Sequence, residues 1–159
     1  MLLKTPRSNS LFTIFVTVAL ALASCNRNTV YHHYEQVSAN GWERNDTLYF
    51  HVAAAKSDAV LNEEMELRIN NWYPFMGLCV VVEQTTFPSN VRRVDTLNCS
   101  LVDKNGITKG KGISYIQNSF HLTDISVSEG DSLDIAIHHN MKQEILPGVV
   151  DLGIKLIKN

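Results

Sequence analysis

The sequence predicts an all-β protein: a single β-sandwich, of jelly-roll or immunoglobulin-like topology, behind a cleaved lipoprotein signal peptide. Three observations carry this prediction. Short stretches alternate apolar and polar residues with period two. Turn-forming clusters recur between them, at roughly 10–15-residue spacing. No stretch sustains a 3.6-residue apolar period with caps at its ends. Roughly seven to nine short strands of this kind fit a sandwich.

The leader comes first. Lys4 and Arg7 precede an apolar run from Leu11 to Ala23. The run is about 13 residues, the length of a signal-peptide core and short of the ~20 needed to span a bilayer. Leu22-Ala23-Ser24-Cys25 follows and resembles a bacterial lipobox. Cleavage there leaves Cys25 at the new N-terminus, with its thiol and amine acylated. Residues 1–24 therefore read as leader, 25–29 as acylated Cys and short tether, and 30–159 as the sandwich domain.

Strand segments then succeed one another. Thr47–Val52 alternates, as do Met65–Ile69, Leu133–His138 and Leu152–Lys158, and Phe120–Ile125 is a weaker version. Asn62–Asn70 holds helix formers in Glu63, Glu64 and Met65, but the strict alternation from Met65 onward favours a strand. Leu78–Gln84 and Asp95–Val102 read as a hairpin joined by Thr85–Val94, with its turn near Ser89-Asn90. Asn40-Gly41, Asp103-Lys104-Asn105-Gly106, Glu129-Gly130-Asp131 and Pro147-Gly148 supply turn chemistry elsewhere.

Composition excludes several classes of function. The chain carries 14 basic and 16 acidic side chains. Loss of Lys4 and Arg7 with the leader takes the formal charge from −2 to −4. An acidic body gives no electrostatic footing for nucleic acid and no polybasic patch for an anionic membrane. Membrane attachment then rests on the acyl chains of Cys25. Cys79 and Cys99 remain in an exported, oxidising setting. They either pair across the hairpin or stay as buried free thiols.

The residues offer little catalytic chemistry. His32-His33 and His138-His139 are doublets on strands, so each sends its two rings to opposite faces. The sequence has no Gly-x-Ser-x-Gly elbow, Walker loop, His-Glu-x-x-His or Cys-x-x-Cys. Gly110-Lys111-Gly112 lacks the strand–loop–helix setting of a phosphate cradle. No metal site, cofactor or catalytic residue is expected. Trp72-Tyr73-Pro74-Phe75 is the more informative group. Pro74 holds Tyr73 extended, which makes a rigid aromatic loop. Trp72, Tyr73 and Phe75 could face a partner or ligand, or pack half-buried against the domain. Trp42 reads as either core edge or interface.

The order and spacing of these segments resemble the gliding-motility lipoproteins of the GldH type from Bacteroidetes. The resemblance runs through Ser24-Cys25, Trp42 before Asp46–Phe50, Leu67–Asn71 leading into Tyr73-Pro74, and Asp95-Thr96-Leu97. It continues through Leu101-Val102-Asp103, Gly106, Gly110-Lys111-Gly112 and Glu129-Gly130-Asp131. It ends with His139–Lys142, Leu146-Pro147-Gly148 and Val150–Ile154. Ile107 departs from the pattern, where the family tends to carry Trp. The resemblance implies an outer-membrane lipoprotein without catalytic residues. Asn26-Arg27-Asn28 behind Cys25 holds no acidic run of the kind that resembles a surface-export tag, so the domain is expected to face the periplasm. Its partners would be envelope proteins of a gliding and type IX secretion assembly. It also implies O-glycosylation at Asp-Ser/Thr-apolar triplets, here at Thr47, Thr96 and Ser132. The competing reading is a carbohydrate- or ligand-binding surface lipoprotein, built on the same sandwich and the aromatic loop.

Overall fold

Ten strands and no helix make up the computed structural model, which describes residues 28–159. The leader and Cys25 lie outside the described residues. The strands are β1 (Thr29–Gln36), β2 (Trp42–Glu43), β3 (Leu48–Val52), β4 (Ala59–Ile69) and β5 (Gly77–Phe87). The chain returns through β6 (Val91–Ser100), β7 (Ile116–Val127), β8 (Ser132–His139), β9 (Ile145–Leu146) and β10 (Val149–Lys158).

Pairing is nested. β5 pairs with β6, β4 with β7, β3 with β8, β2 with β9 and β1 with β10, all antiparallel. Rolling this long ladder brings β10 against β4 and β8 against β5. Two four-stranded sheets result, in the orders β1-β10-β4-β7 and β3-β8-β5-β6, with β2-β9 as a small separate pair. This is a jelly roll, which decides between the two topologies that the sequence left open.

The alternation read from the sequence sets the faces. Leu48, Phe50 and Val52 on β3 point inward, as do Met65, Leu67 and Ile69 on β4 and Leu133, Ile135 and Ile137 on β8. They meet Leu152, Ile154 and Leu156 of β10 in one core. Each such fully buried side chain contributes ~1.5–3 kcal/mol by leaving water. Trp42 lies in this core with no exposed surface, and its indole N–H donates to the Asp46 carbonyl at 3.0 Å. It is a core residue and not an interface residue.

Three local expectations change. The first strand begins at Thr29, one residue inside the expected tether. The weak segment Phe120–Ile125 belongs to a 12-residue strand, β7, because pairing with β4 holds its whole length. Most of Thr85–Val94 is strand as well, with the turn confined to residues 88–90.

The hairpin register corrects the pairing of Cys79 with Cys99. Cys79 stands opposite Asn98, and Cys99 opposite Leu78. A slip of one residue sends the two side chains to opposite faces of the sheet. Both are free thiols. Burial pushes the Cys99 thiol up to about 12, which keeps it protonated and unreactive.

One polar pair sits inside the sandwich. Glu63 of β4 has no exposed surface, and its Oε2 accepts a hydrogen bond from Gln84 of β5 while Oε1 has no partner. Burial raises this carboxyl to about 7, against the lowering influence of Gln84 and of Arg93 nearby. Below pH about 4.5 the group is protonated in folded and unfolded chains alike. Between there and about 7 the unfolded chain releases a proton that the fold retains, so stability falls across this window. Glu63→Gln should therefore raise stability by roughly 2–3 kcal/mol at pH 8 and have little effect at pH 4, as thermal melts at the two pH values will show. Alkylation of the denatured, unreduced protein should label both Cys79 and Cys99.

Candidate functional site

The roll gives the sandwich two distinct ends. β1 starts at Thr29 opposite Ile157, and the connections 53–58, 88–90 and 128–131 turn at that same end. The connections 37–41, 70–76, 101–115 and 140–144 all turn at the other, the two longest among them. A strand of 11 residues such as β4 separates the ends by about 35 Å at ~3.3 Å per residue. We call them the anchor end, where the first strand begins, and the far end.

The far end carries the aromatic loop. Asn70 follows β4 and shapes the turn: its side-chain oxygen accepts from Trp72 N–H at 2.9 Å, and its carbonyl from Tyr73 N–H at 3.1 Å. Gly148 supports the loop from beneath. Its φ is +81°, and a Cβ there would lie 2.2 Å from the Tyr73 nitrogen, so only glycine fits. Tyr73 turns inward, and its hydroxyl donates to the Gly77 carbonyl at 2.9 Å. Its ring meets Phe75 edge-on at 5.4 Å. Both half-bury over a small hollow lined by Ile69, Leu101 and Ile116. The structure thus splits the aromatic trio: Tyr73 and Phe75 build the loop, while Trp72 stands 77% exposed. Met76, Ile107, Ile113 and Tyr115 are also exposed on the far-end loops, and Ile145 at the edge of β9.

A second constellation lies on the outer face of the β1-β10-β4-β7 sheet. Register places Tyr34, Gly153 and Glu66 in one row and Asp151 and Arg68 in the next. Glu66 accepts from the Tyr34 hydroxyl, from Gln117 Nε2 at 3.3 Å, and pairs with His32 Nε2 at 2.9 Å. Arg68 Nε donates to Asp151 at 2.6 Å, and its guanidinium lies 4.0 Å over the Tyr34 ring. Gly153 makes this stack possible: a Cβ there would come within 2.7 Å of that ring. Burial alone would raise Glu66, but the hydrogen bonds from Tyr34 and His32 prevail and hold its carboxyl below the usual range. Burial, and then donation to Glu66, push the Tyr34 phenol well up. Each charge here faces an opposite charge or a donor. The arrangement covers the sheet with a closed polar layer and leaves no activated nucleophile.

The histidines split as their doublets predict. His32 joins Glu66 on the outer face, and His33 pairs with Glu35 at 3.0 Å and lies edge-on to Phe50. His139 is buried edge-on against Trp42, where burial lowers its pKa. Among the described residues, no three His, Cys, Asp or Glu side chains gather to hold a metal ion. Of the three hydroxyls in Asp-Ser/Thr-apolar triplets, Thr96 is exposed in mid-strand on β6, whereas Thr47 and Ser132 are half-buried where β3 and β8 begin.

Sequence reading missed the outer-face layer. The available signal was Gly153, a glycine inside an otherwise continuous strand pattern, which marks a close approach. Gly153→Ala should displace the Tyr34 ring and cost about 1–3 kcal/mol in chemical denaturation. Tyr34→Phe, which removes one donor from a nearly buried carboxylate, should cost a similar amount.

The chain is similar to several known proteins. Residues 29–156 match the GldH lipoprotein family. A gliding motility lipoprotein GldH of Flavobacterium johnsoniae is 28% identical over 150 residues, spanning 90% of this chain and 93% of that one. A GldH homolog of Christiangramia forsetii is 23% identical over 155 residues, spanning 92% and 94%. Solved structures of similar shape include the Cry4Aa toxin of Bacillus thuringiensis (TM-score 0.46, 7% identity), covering 79% of this chain and 21% of the toxin. A family 35 carbohydrate-binding module of Clostridium thermocellum is also similar (TM-score 0.39, 11% identity), covering 82% and 90%. With the family match running from the first strand into the last, this chain belongs to the GldH lipoproteins.

Proposed function

We propose that this lipoprotein is a non-catalytic support of a gliding and secretion-associated assembly in the cell envelope. Acyl chains on Cys25 fix its anchor end to the outer membrane, and its far end engages a protein partner in the periplasm. The observation that carries this reading is the polarity of the sandwich. The chain enters at one end, and Trp72, Met76, Ile107, Ile113 and Tyr115 are exposed on loops at the other. Exposed aromatic and Met side chains on these loops suit a partner surface. Confinement to a membrane raises the effective concentration of that surface near its partner. Cleavage before Cys25, with residues 1–24 lost, is part of the same reading.

Two substitutions in a gliding host test it. Cys25→Ser should leave the domain folded but free of the membrane, and gliding should stop. Trp72→Asp should leave membrane attachment intact and change stability by no more than ~0.5 kcal/mol, and gliding should again fail. Normal gliding and secretion in a host that lacks the gene would overturn the proposal. Binding of the wild type on a glycan array, abolished by Trp72→Ala, would instead support a carbohydrate-binding protein. Thr96, exposed on β6, is the hydroxyl we expect to carry a glycan, so the intact mass of native protein should exceed the bare acylated chain and Thr96→Ala should remove the excess.

A further inference from the structure

At the anchor end the two sheets part around a cavity of about 370 Å³. Its walls include Val30, Val52, Ala55, Ala59, Leu61 and Leu133, and Lys56, Asp131 and Lys158 are the charged residues that line it. Small side chains leave it open. Ala53-Ala54-Ala55 follows β3, and Ala59 begins β4, so methyl groups stand where longer side chains would reach across. Backbone bonds hold the opening in place. Ala55 N–H donates to the Asp131 carbonyl at 2.8 Å, and Gly130 N–H to the Ala55 carbonyl at 2.8 Å. Protein interiors rarely keep voids larger than a water molecule, whereas ligand pockets of this size with apolar walls are common.

The position of the cavity identifies an occupant. Val30 lines it from β1, five residues after Cys25. Five residues reach at most about 18 Å. Walls of alkyl side chains with few polar groups suit hydrocarbon. At a share of ~30 Å³ per small group, similar to that of a water molecule, the space admits a chain of on the order of ten methylenes.

We propose that this cavity seats one acyl chain carried by Cys25. The proposal rests on the acylation of Cys25 and adds where one chain goes. With one chain in the sandwich and the others in the bilayer, the domain is clamped at its anchor end. It does not swing on a tether, and the far-end loops are held away from the membrane.

The test uses the full lipoprotein in native membranes, from cells fed palmitate with a terminal diazirine. After irradiation, a crosslink should join the Cys25 peptide to residues 52–61 or 127–133. Ala59→Phe should abolish that crosslink while Cys25 still takes up the label, and Ala55→Leu serves as the second variant if the first folds poorly. Label on Cys25 with crosslinks only to lipid or to other proteins overturns the cavity assignment. A crosslink that adds the mass of a phospholipid overturns it too, because the occupant is then a free lipid. Absence of label on Cys25 overturns the acylation itself, a failure distinct from the other two.

Discussion

The nested pairing of the chain is the constraint on which the rest of the structure depends. Each strand on the way out pairs with its counterpart on the way back, from β5–β6 at the tip to β1–β10 at the base. Such a ladder buries little while it stays open. Rolled up, it hides the inner faces of two sheets against each other, and that apolar burial drives closure. The same nesting sets the first and last strands side by side. It therefore decides that the chain enters and leaves at one end and that the two longest loops gather at the other.

Strand β4 shows how the fold treats charge on each of its faces. Glu63 points into the core and Glu66 points out, and both are almost wholly buried. Glu66 has several hydrogen-bond partners and its carboxyl is lowered. Glu63 has one amide and its carboxyl is raised. Glu63 lies deep between the sheets and Glu66 lies nearer the surface, so depth of burial and the number of partners together set the direction. The outer layer around Glu66 also explains how β10 is buried on both faces along its middle. The Tyr34 ring over Gly153 and the Arg68–Asp151 pair cover it.

The two ends divide the labour in the proposed function. The far end has a loop built on inward Tyr73 and Phe75 and fastened at Gly148, which leaves Trp72 outside. The anchor end has a cavity, bordered by Ala53, Ala54, Ala55 and Ala59. In the proposed reading, one end reaches a partner and the other receives hydrocarbon.

The sequence by itself determined the all-β class, the inward faces of β3, β4 and β8, most of the turns, and the family resemblance. These are legible because period-two alternation and turn chemistry are local: a residue and its near neighbours contain the information. It also placed the histidines of each doublet on opposite faces. Tertiary structure alone decided what depends on distant partners. The weak pattern of Phe120–Ile125 became a long strand because β4 pairs with it, and Cys79 parted from Cys99 because a register is a relation between two strands. The split of Trp72 from Tyr73 and Phe75 required Gly148, which lies about half the chain away. Arg68 reached Asp151 only once β10 lay beside β4. Burial and register are properties of pairs, and no single segment of sequence contains a pair.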